Sequence, residues 1–209
     1  MVAPVVVLLM MFGLRTSPVI SGLSGLLVAA GGPVLLASFV RHQGLREQTD
    51  LLSSWGAWPS AKMLATGTPA VLQARRAAVT KATGMALPAE GDSSDDGYEV
   101  AVAQMRARTR DANRFPLVFA ENCNFGRERN LLGLRRFALP GSVVCLLVGV
   151  AASVPVALSR HSFSPDLWLG LALLAGLVGF WLLYPSRDHT LLVAEKYAER
   201  LIEAAGLLP

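Results

Sequence analysis

The chain has 209 residues, 53% of them hydrophobic and 16% charged, with a mean hydropathy of +0.46. Ordinary soluble domains carry roughly a quarter charged residues, so this composition argues against that class and points to a membrane protein. The net charge of +4 does not suggest nucleic acid, because basic residues beside apolar spans first set membrane orientation. Cys123, Cys145, His42, His161 and His189 show no CxxC or Cys/His spacing, so neither metal, cofactor nor disulfide framework is expected.

Residues 2–14 are apolar, but as a helix they reach only about 20 Å, short of a hydrocarbon core. They read as a short or re-entrant segment, and the missing basic n-region disfavours a signal peptide. Residues 19–40 carry no charge and are long enough to span, with Gly31, Gly32 and Pro33 as an expected kink. Residues 1–40 thus form an expected N-terminal membrane hairpin.

Residues 41–136 read as a small helical domain. Pro59 suits the opening of a short helix in WGAWPSAKML, where Trp55 and Trp58 either pack or rest at the membrane surface. In TGTPAVLQARRAAVTKATG, Thr68 and Pro69 open a helix, Val71, Leu72, Ala78, Val79 and Ala82 keep its spacing, and Gly84 closes it. PAEGDSSDDG reads as a solvated loop. Asp96 and Glu99 then stand at capping-box spacing, ahead of an apolar stripe of Tyr98, Ala101, Val102 and Met105.

Over residues 106–136 the arginines far outnumber Asp111, Glu121 and Glu128. Arg106, Arg110 and Arg114 follow i, i+4 spacing and make one basic stripe if the helix continues that far. With Arg135 and Arg136 they are the candidates for an anionic lipid or a phosphate-bearing nucleotide. The stretch RFPLVFAENCNFGRERNLLGLRR holds Glu121, Asn122, Asn124, Phe125, Gly126, Arg127, Arg129 and Asn130. It reads as a juxtamembrane hinge, with a turn at Asn124 and Gly126 and with Arg127 and Arg129 pairing Glu121 or Glu128. Glu121 as base and Cys123 as nucleophile would make a membrane-bound hydrolase. No histidine lies in the stretch and no HExxH or GxSxG occurs, so no catalytic residue is assigned.

Residues 137–159 and 167–184 are two spans joined by RHSFSPD, a C-terminal hairpin with Trp168, Trp181 and Tyr184 at its interfaces. Gly141, Cys145, Gly149, Ser153 and Ala157 form a small-residue packing seam. Its expected partner is either Gly170, Ala172, Ala175, Gly176 and Gly179 on the next span or another subunit. Residues 185–209 read as a final amphipathic helix, with Leu191, Ala194, Ala198, Leu201, Ile202 and Ala205 on one side and Gly206 as its stop. Arginines flank residues 41–136 and follow the last span, whereas the opposite side offers only Arg15 and Arg160. The middle region and the C-terminus are therefore expected in the cytoplasm.

The run Glu121, Asn122, Asn124, Phe125, Gly126, then Arg127, Arg129, Asn130, Leu131, Gly133 and Leu134, resembles the E-N-x-N-aromatic-G, basic, N-L-x-G-L signature of a loosely defined family of uncharacterised bacterial integral membrane proteins. Trp55, Gly56 and Pro59 resemble an early motif of the same proteins. Phe125 stands where that family has tyrosine, and Glu128 interrupts its basic run. The resemblance implies a multi-span membrane protein of the bacterial inner membrane and brings no established activity.

The expected architecture is an all-α membrane protein, two membrane hairpins around a cytoplasmic helical domain plus a C-terminal amphipathic helix. The expected function is that of a non-enzymatic effector or accessory subunit in bacterial antiviral defence, self-associating in the bilayer. Its cytoplasmic part would receive a protein partner or ligand while its spans transmit or perforate. A passive anchor for another protein is the remaining alternative.

Overall fold

The computed structural model describes Pro4, Val7 and residues 31–93, 96–160 and 165–208, and all regular secondary structure among them is helical. Residues 2–14, apart from Pro4 and Val7, and the first part of the expected span 19–40 lie outside the described residues. So does the connection at 161–164.

Helix α1 is Gly32–Trp55. Gly31 adopts a left-handed φ of 78°, and its carbonyl accepts the N–H groups of Val34 and Leu35 at 2.9 and 3.1 Å. Gly32 thus opens a helix, with Pro33 in the first turn where a missing N–H costs nothing, and the residues before Gly31, on which the expected kink depends, lie outside the described residues. α1 also runs past the expected end of the span at Val40.

Helices α2 (Pro59–Ala65) and α3 (Pro69–Thr83) both open on proline after an extended residue. Gly84 closes α3 at φ 72° and donates its N–H to Thr80 at 2.7 Å, the left-handed cap that only glycine adopts cheaply. α4 is Asp96–Arg108, α5 Pro116–Arg160, α6 Pro165–Leu183 and α7 Arg187–Ala205. α7 ends without a left-handed glycine: Gly206, Leu207 and Leu208 donate to the carbonyls three residues back, a 3₁₀-type tightening of the last turn.

The chain forms two compact units. One takes Gly44–Asn130 and Arg187–Pro209; the other takes Leu131–Ser186 with the described residues up to Gln43. α1 and α5 each contribute residues to both.

In the first unit α2, α3, α4 and α7 pack on one another around Leu64, Val79, Tyr98, Met105, Phe115 and Leu201. Burying such side chains contributes about 1.5–3 kcal/mol each. The stripe Tyr98, Ala101, Val102 and Met105 is buried, as helical spacing requires. α7 supplies Leu201, Ile202, Ala204 and Ala205 to the same core, so the C-terminal helix belongs to this bundle and does not stand alone. The loop before α4 is pinned by Arg76, which donates to the Leu64 carbonyl at 2.9 Å, the Tyr98 hydroxyl at 2.8 Å and the Pro88 carbonyl. Tyr98 in turn donates its hydroxyl to the Ala89 carbonyl at 2.9 Å.

In the second unit, Leu134 and Ala138 of α5 pack with Trp181 of α6, flanked by Val40, Leu131, Leu139 and Leu177. Among the described residues one helix, Pro116–Pro155, is long and apolar enough to cross a membrane, with a mean hydropathy of 2.2 in its most apolar stretch. The packing seam is buried at Gly149 and Ser153 and half-buried at Gly141 and Cys145; the Ala157 side chain lies outside the description. Its expected partner stripe differs. Of Gly170, Ala172, Ala175, Gly176 and Gly179 only Gly170 is buried, because at 100° per residue it lies opposite the other four. An added Cβ at Gly141, Gly176 or Gly179 would meet nothing within 4 Å among the described residues. α6 instead buries Leu167, Gly170, Leu174 and Trp181.

Candidate anion-binding groove

The stretch containing Glu121 to Asn130 is continuous α-helix within α5, so the turn expected at Asn124 and Gly126 does not exist. A helix sorts these residues by face, and from Glu121 to Asn130 the buried ones are Phe125 and Glu128, at the i, i+3 spacing of one side. Phe125 lies parallel to the Tyr197 ring at 6.4 Å and meets Trp58 edge-on at 6.4 Å, while Trp58 meets Trp55 at 6.2 Å. The two half-buried tryptophans thus continue an aromatic row with Phe125 and Tyr197.

Glu128 is only 2% exposed and lies 3.3 Å from Arg127 Nη2 and 3.8 Å from His189 Nε2. Burying a carboxylate requires such partners, which explains the acid interrupting the basic run. Arg129 donates to Gln48 and stands 5.8 Å over the Phe125 ring. Asn130 packs directly on Gly44 of α1, where a Cβ would lie 2.9 Å from the Asn130 Cα and collide with Oδ1. Glu121 accepts a hydrogen bond from Asn124 Nδ2 at 3.2 Å, and Cys123 is exposed. Most of the stretch thus knits α1, α2, α5 and α7 together. Asn122 is the exception, facing a groove.

That groove encloses about 470 Å³ and gathers elements far apart in sequence. Ala103, Arg106 and Ala107 come from α4, Thr109 and Arg110 from the connection after it, Val118, Phe119 and Asn122 from the first turns of α5, and Tyr197 from α7. The basic stripe is divided, because α4 stops at Arg108. Thr109 turns both its N–H and its hydroxyl onto the Met105 carbonyl at 3.0 and 2.9 Å. Asp111 Oδ1 accepts the N–H groups of Asn113 at 2.9 Å and Arg114 at 3.4 Å. Such side-chain acceptors offer the backbone an alternative to helix. Arg106 and Arg110 consequently share the groove, while Arg114 turns away over the Phe115 ring at 5.3 Å.

Arg135 and Arg136, expected at an anion, are committed to protein acceptors. Arg135 donates to the Pro185 carbonyl at 2.8 Å and the Leu182 carbonyl at 3.0 Å, satisfying carbonyls that the end of α6 leaves open. Arg136 donates to Gln43 and lies 4.9 Å over Phe137.

Tyr197 is a polar groove residue that sequence reasoning did not single out. Burial pushes its hydroxyl pKa above the usual phenol value, against a smaller opposing pull from the Arg106 charge, so it stays a neutral donor at physiological pH. It sits beside the apolar stripe of α7, and nothing in its local pattern ties it to Arg106. Among the described residues no acid lines the groove, whose lining brings together two arginines, a tyrosine, an asparagine and a phenylalanine.

Among the described residues no group of His, Cys, Asp and Glu could hold a metal ion. No family model matches the chain, and no curated protein or solved structure matches it.

Proposed function

We propose that this chain is a non-enzymatic, multi-pass protein of the bacterial inner membrane. Its helical bundle, built from Gly44–Asn130 and Arg187–Pro209, lies in the cytoplasm and receives a ligand or partner. Its apolar helices form membrane hairpins that transmit the event or open the bilayer, as in a self-associating effector or accessory subunit of a defence system.

One observation carries the membrane part. On α5 the large aliphatics Val143, Val144, Leu147, Val148, Val150 and Val154 are exposed, whereas Ser142, Gly149 and Ser153 are buried. At 100° per residue the exposed set covers close to half the circumference and the small residues lie opposite. A helix in water does the reverse, hiding large aliphatics; a helix in lipid turns small residues to its neighbours and large ones to the acyl chains. Ser142 and Ser153 satisfy their hydroxyls on the carbonyls of Ala138 and Val150, both at 2.7 Å, which hydrocarbon demands. α6, with Trp168, Leu169, Leu173 and Leu183 exposed, supplies the second arm of the C-terminal hairpin. The arginine bias around the bundle supports its cytoplasmic side.

The reading without catalysis is supported by the positions of the chemical groups. Glu121 is engaged by Asn124, and His189 is seated with Glu128. The deciding experiment is fractionation of bacteria expressing the full chain, with an epitope inserted beside Asp92. The chain should stay in carbonate-washed membranes and the epitope should be reachable only after the cells are opened. Release into the soluble fraction, or labelling of intact cells, would overturn the proposal.

A further inference from the structure

Two guanidiniums lining one concave surface repel each other unless an anion lies between them. Several arginines of the bundle are occupied: Arg76 by Leu64 and Tyr98, Arg108 by the Ala82 carbonyl, Arg127 by Glu128, and Arg187 by Glu47 at 3.5 Å. Among the described residues Arg106 and Arg110 form neither an ion pair nor a hydrogen bond, yet both face the same groove. The Tyr197 hydroxyl is likewise without a hydrogen bond among them, and Asn122 lines the same space. Phe119, 50% exposed, adds a flat apolar wall. A recess of about 470 Å³ falls within the roughly 300–1,000 Å³ of small-molecule sites.

We infer that the groove binds a phosphate group carried on a flat, apolar body, with Arg106 and Arg110 holding the phosphate and Phe119 facing the body. The inference rests on the reading that the bundle receives a ligand, and it supplies that ligand's chemical class. Arginine is suited to this because its fork donates in pairs to phosphate oxygens, and the Tyr197 and Asn122 donors complete the shell. A free nucleotide and an anionic lipid headgroup both offer the phosphate, and the test separates them.

The test uses the full chain in neutral detergent and a fluorescent trinitrophenyl adenine nucleotide as probe, with inorganic phosphate as competitor. Saturable binding is expected, weakened at least about tenfold by Arg106→Gln with Arg110→Gln, since two charge-assisted contacts are lost. Arg114→Gln, outside the groove, should leave affinity within about twofold on the same argument. All these side chains are exposed, and an unchanged circular-dichroism melt verifies folding. Phe119→Ala should weaken the nucleotide probe while leaving competition by inorganic phosphate in place. In nanodiscs, displacement of the probe by phosphatidylglycerol but not phosphatidylcholine assigns the lipid headgroup; equal binding in both assigns the free nucleotide. Equal affinity in the double variant, or no saturable binding of the probe, overturns the inference. Membrane retention scored on the same preparations separates the two ideas. A retained chain that binds no phosphate sinks this inference alone, whereas a soluble chain sinks the membrane reading whatever the groove binds.

Discussion

Gly44 lies in the middle of a helix, where glycine normally costs up to about 1 kcal/mol relative to alanine. Its value is the contact with Asn130, whose Cα would stand 2.9 Å from a Cβ at position 44. Gly44→Ala should therefore destabilise the bundle by about 1–3 kcal/mol, the usual cost of overpacking, despite its better helix propensity. Thermal unfolding followed by Trp55 and Trp58 fluorescence checks this, and a raised melting temperature would refute the contact. Tyr197 gives a second expectation at this scale. Its pKa is raised by burial, so above the unfolded value near 10 the folded chain holds a proton that the unfolded chain has lost. Stability is then present below pH 10 and falls as pH climbs through and beyond it. Tyr197→Phe should flatten that alkaline limb in a melting-temperature profile. Neither residue was legible as part of a site, because Gly44 meets Asn130 and Tyr197 meets Arg106 across the fold, and no local spacing encodes such meetings.

At the scale of elements, legibility followed the range of the forces. Pro59, Pro69 and Gly84 mark helix boundaries through their own backbone limits, and the structure uses each of them at the place those limits favour. The buried face of α4 likewise follows from the spacing of its apolar residues. The break between Arg108 and Pro116 was harder to read, because i, i+4 arginines suit a continuing helix while Thr109, Asp111 and Asn113 suit a turn, and the turn wins. The opposite error occurred at Asn124 and Gly126, whose turn propensity yields to a helix that buries Phe125 and Glu128 on one face. For α7 the amphipathic stripe was plain but its destination was not. Since Leu201 is fully enclosed in the bundle core, Leu201→Ala should cost about 2–5 kcal/mol, read as loss of protease resistance and of melting temperature. An exposed change on the same helix, Leu192→Ala, should stay within about 0.5 kcal/mol. Similar losses for both would mean that α7 does not dock as described.

For the whole molecule, the decisive contrast is between exposure to water and exposure to lipid, and a charge placed on each exposed surface reads it directly. Leu147 is 63% exposed near the middle of residues 137–159, and Val71 is 47% exposed on α3. In water, arginine at either position would be tolerated, since surface substitutions fall within about 0.5 kcal/mol. In a bilayer, arginine near the centre of a span costs about 2.5–3.5 kcal/mol on insertion scales, a change of two orders of magnitude in the inserted population. Leu147→Arg should then sharply reduce the membrane-inserted fraction in a translocation assay, while Val71→Arg leaves it unchanged. The comparison cancels the intrinsic effect of arginine, because both positions are helical and both side chains point away from their own unit. If the two variants insert equally well, the exposed aliphatics of α5 face water or another protein, and the membrane reading loses the observation that carries it.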